Sequence, residues 1–309
     1  MTTPSDPPRA TSALEEIPSP GAGEILVVVG PTASGKTSLA IALAARFDAE
    51  IVSADSVQIY RRFDAGSGKP SAEELARARH HLIGAVDPLD KMDAAIFAGL
   101  ADGAIADIRA RGKAVIVCGG TFLWVKALVQ GLAPLAPSSD EIRARHRAIA
   151  EAEGRARLHA LLLEVDPASA ARLAPNDLVR VSRALEVFEL TGETLSARHD
   201  AHGFRANRYP YRLLRPRCTG AELDVAVAKR VDAFFAAGWI EEVEGLVADG
   251  LGRARAMESV GYRQVAAFVA AGKATPIDEL KASIVRATRV FAMRQRTWLR
   301  DAPIDDDTP

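Results

Sequence analysis

Gly30, Gly35, Lys36 and Thr37, in the stretch GPTASGKT, have the types and spacing needed to hold a phosphate group. Glycines at both ends let the backbone curl so that successive N–H groups point at an anion, and a helix N-terminus behind them adds about half a positive charge. Pro31, Thr32, Ala33 and Ser34 fill the loop, Lys36 is set to reach a terminal phosphate, and the Thr37 hydroxyl is a hard ligand suited to Mg²⁺. The competing reading is a Gly-rich turn with no ligand.

Asp55, at the end of the apolar run AEIVSA, follows the loop's helix at the distance where small-molecule kinases place an acid near their acceptor. It can act as a general base or simply cap the turn SVQIY. Thr121 follows two glycines and offers a hydroxyl to a reacting group, or else caps the helix FLWVKALV. Nucleotide hydrolases often end a strand in Asp to hold Mg²⁺. Here AVIVC runs instead into Gly119-Gly120-Thr121, which counts against an ordinary NTPase. His80-His81 has no partner spaced for a metal and reads as structural.

The positioning elements are legible as alternation. ILVVV, AEIVSA and KAVIVCGG are short β-branched runs separated by longer helical stretches, which predicts a parallel, doubly wound α/β sheet with ligands at the strands' carboxyl ends. The fold class expected is therefore α/β: a P-loop NTPase-like parallel sheet core with helices on both faces, plus a helical insertion. The core is assigned to 24–130 and 205–300, and the insertion to 131–204, where Ala/Leu/Arg/Glu stretches show no strand-like run. YRLLRPRC returns as a strand, and helices follow over 222–248, 257–271 and 277–299. Residues 1–23, rich in Pro, Ser and Glu, read as a disordered tail, and 301–309 as a flexible one.

A chain of 309 residues, 48% hydrophobic and 26% charged, is large enough for a well-buried core. Its net charge of −1 leaves nucleic-acid binding to local clusters. Two cysteines, Cys118 and Cys218, make no disulfide framework and no zinc site, and no run reaches membrane-span length, so a cytoplasmic monomer is the default expectation. Arg286, Arg289, Arg296 and Arg300 recur at helical intervals with no acid between 281 and 300, an anion-binding stripe unless the face is merely solvated. FRANRYPYRLLRPRC adds five arginines, while the insertion carries nine Arg and no Lys against eleven Asp plus Glu.

In order and spacing, GPTASGKTSLA, IVSADSVQIYRRFD, GSGKPS, HHLIGAVDP, VCGGTFLWVKALVQGL, PNDLVRVSRALEVFELTG, ESVGYRQV and TRVFAMRQRTWLR resemble the tRNA dimethylallyltransferase (isopentenyltransferase) family across residues 24–300. The resemblance implies that the loop holds the diphosphate of dimethylallyl diphosphate rather than a nucleotide. It also implies that the prenyl group passes to N6 of the adenosine just 3′ of the anticodon of a tRNA. In that scheme Asp55 is the general base and Thr121 orients the substrates. Lys36, the loop amides, Arg230 and Mg²⁺ at Thr37 stabilise the diphosphate. The family's tRNA-contacting stretches fall on Asp55, Ser56, Val57, Gln58 and Thr121, then on Arg143, Val179, Arg180, Val181, Ser182 and Arg183. Further along they fall on Tyr262, Arg263, Arg294, Gln295 and Arg296. An adenine inside a stacked loop must be extruded to react, and a helical insertion clamping the stem offsets that cost.

The sequence departs from the family at Phe122-Leu123-Trp124, at Ala226 and at Met293, the last two each losing a charge. Three other functions compete. An adenylate isopentenyltransferase shares the donor but needs no long insertion. A small-molecule P-loop kinase calls for a nucleotide-base pocket and an arginine-rich lid. A non-catalytic RNA-binding relative has no reason to keep Lys36, Thr37, Asp55 and Thr121 together.

Overall fold

The computed structural model describes residues 14, 16–134, 138–203, 207–300 and 306–308. They fall into two compact units, one from Met1–Val129 with Arg208–Pro309, the other Gln130–Asn207.

The first unit is a parallel sheet of β1 (Ile25–Val29), β2 (Ala49–Ser53), β3 (His80–His81), β4 (Ala114–Gly119), β5 (Tyr211–Pro216) and β6 (Asp306–Thr308), in the order β3-β2-β4-β1-β5-β6. β1 is central and every residue in it is buried, as expected for a strand covered on both faces. Its side chains alternate: Ile25, Val27 and Val29 enter the larger core, Leu26 and Val28 the smaller one. Helix α1 (Lys36–Phe47) covers the smaller face with Leu39, Ala40, Ile41, Leu43 and Ala44. On the other face lie α3 (Ala94–Ala110) and α4 (Phe122–Gln130); α2 (Ala72–Arg77) is a short capped helix before β3. Asp93 starts α3 by accepting the Ala95 and Ile96 amides, each at 2.9 Å.

Register aligns the strand ends that matter. Val29 pairs with Gly119 and Ser53 with Cys118, so the loops after β1, β2 and β4 leave the sheet at one level.

Two tail assignments need correction. Residues 1–13 and 15 lie outside the described set, but Ile17 is buried in the smaller core, and Arg212 donates to the carbonyls of Pro18 and Ser19. One isolated apolar residue among prolines carries no periodicity, so its burial was invisible in the sequence. At the other end, Asp306–Thr308 pairs with Leu214–Pro216, satisfying an otherwise open sheet edge; 301–305 and 309 lie outside the described residues.

The helix expected over 222–248 is two helices, α10 (Gly220–Ala236) and α11 (Trp239–Ala248), broken at Gly238 with φ 83°. In chain order the helices between β4 and β5 are α5 (Asp140–Ala152), α6 (Arg155–Val165), α7 (Pro167–Arg172), α8 (Leu178–Thr191) and α9 (Leu195–His202). After α11 come α12 (Tyr262–Ala270) and α13 (Ile277–Arg300).

Helices α5 to α9 form the second unit around Leu158, Leu162, Ala170, Val181, Ala184 and Leu185. Its buried carboxylates are fully partnered. Asp166 caps α7 and accepts from Ser196. Glu186, fully buried, accepts from the Ser139 amide, Arg143 and Arg183. Burial alone raises its pKa, but these donors hold it below the ordinary carboxylate value.

Candidate active site

The loop after β1 is bent by two left-handed residues, Ala33 (φ 64°) and Gly35 (φ 85°), and runs directly into α1. Ala33 pays for this conformation with backbone strain, a cost that clusters at ligand-binding turns. A Cβ at Gly30 would lie 2.7 Å from Ser34 Oγ and 3.3 Å from the Lys36 chain, so a side chain there would have to displace both. Ser34 Oγ is buried with no hydrogen-bond partner, an orphan polar atom within the loop. Lys36 Nζ donates to Pro31 O at 2.6 Å. Its burial pushes the ammonium down to about 8; Arg230 adds to that, and nearby Asp55 opposes it.

Asp55 holds its own turn: Oδ1 accepts the Val57 and Gln58 amides at 2.9 and 3.1 Å. The capping role is therefore real, yet it uses only one carboxylate oxygen. Oδ2 has no hydrogen-bond partner among the described residues. Thr121 does not cap α4 through its side chain. Its hydroxyl accepts the Ser56 amide at 3.0 Å and lies 3.3 Å from Ser56 Oγ, tying the end of β4 to the Asp55 turn.

Of the two glycines before Thr121, Gly119 is sterically required, and a side chain at Gly120 would displace Gln295. A Cβ on Gly119 would collide with the Ala54 backbone, and one on Gly120 would sit 2.6 Å from Gln295 Nε2. Gln295, 7% exposed, donates to Gly120 O at 3.0 Å and accepts the Thr32 amide at 2.8 Å. It is a strut between the phosphate loop and the end of β4, so its side chain is not free to touch RNA.

A cavity of about 390 Å³ joins these parts. Its lining holds two kinds of side chain: the polar Lys36, Thr37, Asp55, Thr121 and Arg230, and the apolar Val227, Val231, Phe234, Trp239, Ile284 and Phe291. Arg230 lies against the Phe234 ring, 4.8 Å from its centroid, and donates to Ser67 O at 3.3 Å. Burial disfavours its charge and Asp55 favours it, and a guanidinium stays protonated under both influences. Cys118 also lines the cavity, and burial pushes its thiol up to about 11. No group of three or more His, Cys, Asp or Glu that could hold a metal occurs among the described residues. The available donor is the hard hydroxyl of Thr37, which suits an Mg²⁺ ligated mainly by phosphate oxygens and water.

The apolar wall is what sequence reading missed. Val227, Arg230, Val231 and Phe234 recur at i, i+3, i+4 and i+7 on α10, but the same stripe equally marks an ordinary buried helix face. The predicted contact residues scatter. Ser56, Val57, Gln58 and Thr121 line the cavity. Tyr262 is fully buried and hydrogen-bonds Glu242, which removes its side chain as an RNA contact, whereas Arg263 is exposed. In the helical unit Val181 and Ser182 are buried in the core and against His146, and Arg143 and Arg183 are paired with Glu186. Val179 and Arg180 are exposed there.

The basic stripe of α13 is also partly neutralised. Arg289 pairs with Asp224 at 2.9 Å, Lys281 with Asp232 at 2.8 Å, and Arg296 donates to Cys218 O at 2.6 Å. The countercharges come from α10, remote in sequence. Arg294 remains exposed with no partner among the described residues.

Fold and cavity together define a P-loop α/β protein whose anion cradle adjoins a carboxylate and an apolar wall. A family model described as IPP transferase matches residues 58–302. The tRNA dimethylallyltransferase of Sorangium cellulosum is 62% identical over 96% of this chain and 93% of its own. That of Anaeromyxobacter dehalogenans is 48% identical over 89% and 91%. The crystal structure of the full-length tRNA isopentenylpyrophosphate transferase of Bacillus halodurans superposes with a TM-score of 0.65 at 31% identity, covering 91% of this chain and 88% of that one. The chain belongs to the tRNA dimethylallyltransferase family, a group of prenyl-transferring enzymes.

Proposed function

We propose that this protein transfers a dimethylallyl group from dimethylallyl diphosphate to N6 of the adenosine just 3′ of the anticodon of a cytoplasmic tRNA, releasing diphosphate. The observation that carries the reading is a single cavity lined both by Lys36, Thr37 and Arg230 and by an apolar wall of Val227, Val231, Phe234, Trp239, Ile284 and Phe291. A donor made of a diphosphate and a short hydrocarbon meets both kinds of lining.

In the reaction, N6 attacks the allylic carbon, the carbon–oxygen bond to diphosphate breaks, and the amine proton goes to a base. Asp55 is that base: its Oδ1 is fixed by two amides, and its Oδ2 is available to take the proton. Lys36, Arg230 and the loop amides receive the negative charge that builds on the leaving oxygen, which lowers the barrier because the donors are already in place. Thr121 holds the Asp55 turn through Ser56. Thr37 is the residue that would hold Mg²⁺, which supplies charge neutralisation on the diphosphate when bound. The helical unit, with Val179 and Arg180 exposed, is proposed to grip the anticodon stem.

The test is transfer of label from dimethylallyl diphosphate, with Mg²⁺, to unmodified tRNA or to free AMP. Label on tRNA supports the reading. Label on AMP alone overturns it in favour of an adenylate isopentenyltransferase.

A further inference from the structure

The GSGKPS segment, singled out in the sequence but given no role above, forms the turn that carries the backbone past Arg230. Three successive amides leading into it, those of Asp64, Ala65 and Gly66, are held by two side chains from outside the catalytic loops. Glu242 Oε2 accepts the Asp64 and Ala65 amides at 2.8 and 2.6 Å. Glu242 Oε1 accepts the Tyr262 phenol at 2.6 Å, and the phenol oxygen in turn accepts the Gly66 amide at 3.2 Å. The carboxylate thus accepts two oriented amides from the turn on one oxygen and the Tyr262 phenol on the other, an arrangement that holds an anion strongly.

What the turn delivers lies in the cavity. Ser67 O accepts from Arg230, and Gly68 O accepts from Gln58 Nε2 at 2.8 Å. Gln58 gives its own amide to Asp55. Gly68 sits at φ 65°, and a Cβ there would overlap the Arg230 guanidinium, so the turn and the arginine are packed without slack. Trp239 closes the arrangement from beneath, touching Gly66 and Gly261 where neither has a side chain.

Resting on the donor-binding reading above, we propose that Glu242 is a positioning residue. Its carboxylate, with the Tyr262 phenol, fixes the 64–68 turn at the depth that aims Arg230 at the donor's diphosphate and steadies Gln58 behind Asp55. Neither residue touches substrate; they act through the backbone between them.

The test uses the full chain and variants Glu242→Ala, Glu242→Gln, Tyr262→Phe and Arg230→Ala, with folding checked by circular dichroism. Inorganic pyrophosphate binding is measured by calorimetry, and kcat and KM for the donor by label transfer. Glu242→Ala is expected to weaken pyrophosphate binding and raise donor KM by about tenfold or more, the loss that follows when a charge-assisted hydrogen bond is misaligned. tRNA affinity is expected to stay within about twofold, because the turn's task is on the donor side. Glu242→Gln keeps an acceptor for the two amides and is expected to restore most of the loss. Glu242→Ala combined with Arg230→Ala should bind pyrophosphate no more weakly than Arg230→Ala alone, since on the donor side both act through one guanidinium. Full additivity of the two, or a folded Glu242→Ala with unchanged pyrophosphate affinity, overturns the proposal. If Glu242→Ala does not fold, Tyr262→Phe in the same cycle decides: coupling to Arg230→Ala supports the clamp and additivity refutes it. Failure of the wild-type chain to label tRNA would sink the proposed function, while pyrophosphate binding still tests the clamp.

Discussion

Lys36 makes two opposite pH dependences from one proton, and their combination is hard to produce any other way. Burial brings its ammonium down to about 8 from the ordinary 10.5. Between those values the unfolded chain keeps a proton that the folded chain has released. Stability therefore rises with pH through that window, by on the order of 3 kcal/mol at most, and the burden is fully present below pH 8. Donor binding runs the other way, because the cradle needs the ammonium. With a value of about 8, Lys36 is about nine-tenths charged at pH 7 and about one-tenth at pH 9. Affinity for dimethylallyl diphosphate, measured by calorimetry without tRNA, is expected to fall about tenfold over that interval, in step with the loss of the ammonium. Cys118, raised to about 11, stays neutral from pH 7 to 9 and does not blur the affinity change; above about pH 9 its raised value makes stability fall with pH and opposes the Lys36 rise. Lys36→Met should abolish the affinity slope, bind the donor more weakly at pH 7 and leave only the Cys118 fall in stability. A flat affinity from pH 7 to 9, or a slope that survives in Lys36→Met, would refute the assignment of Lys36 as the buried cation of the site.

Asp55→Asn keeps an oxygen for the Val57 and Gln58 amides but loses the base; transfer should drop about 10²- to 10⁴-fold in kcat with tRNA affinity nearly intact, and loss of binding with normal turnover would contradict the role. Gly68→Ala places a strained left-handed residue against Arg230; donor KM should rise and stability fall by about 1 kcal/mol or more, read by titration and thermal melting. Arg294→Ala, removing an exposed cation with no partner among the described residues, should reduce the salt slope of tRNA binding by about one, whereas Arg296→Ala, whose guanidinium already donates to Cys218 O, should change it less. Glu186→Ala strands Arg143 and Arg183 around a buried gap and should cost the chain about 3 kcal/mol or more, seen as a lower denaturation midpoint.

What the sequence could reveal was whatever is local. The phosphate loop, the alternating strands and the strand-end positions of Asp55 and Thr121 are short-range signals, and the structure brings those three strand ends to one level. The errors arose where the partner lies far along the chain. The basic residues of α13 looked unopposed because Asp224 and Asp232 are three helices upstream. Gln295 and Tyr262 read as polar contact residues because nothing nearby shows that one braces Thr32 and Gly120 and the other meets Glu242. Polar side chains whose partners are remote are indistinguishable in sequence from polar side chains awaiting a ligand.

The same remoteness explains how the cavity stays organised. Its phosphate loop, its base and its arginine sit on three separate excursions from the sheet, and each is braced by a residue on another element. Gln295 ties the loop to the end of β4, Thr121 ties β4 to the Asp55 turn, and Gln58 ties that turn to the 64–68 backbone under Arg230. Because the braces run in series, a displacement at one is passed to the next rather than absorbed by a flexible loop. The glycines at 68, 119 and 120 are where side-chain volume has been removed to let the braces close. The chemistry needs only a few groups, but holding an anion, a base and an apolar chain within one 390 Å³ space requires this chain of supports.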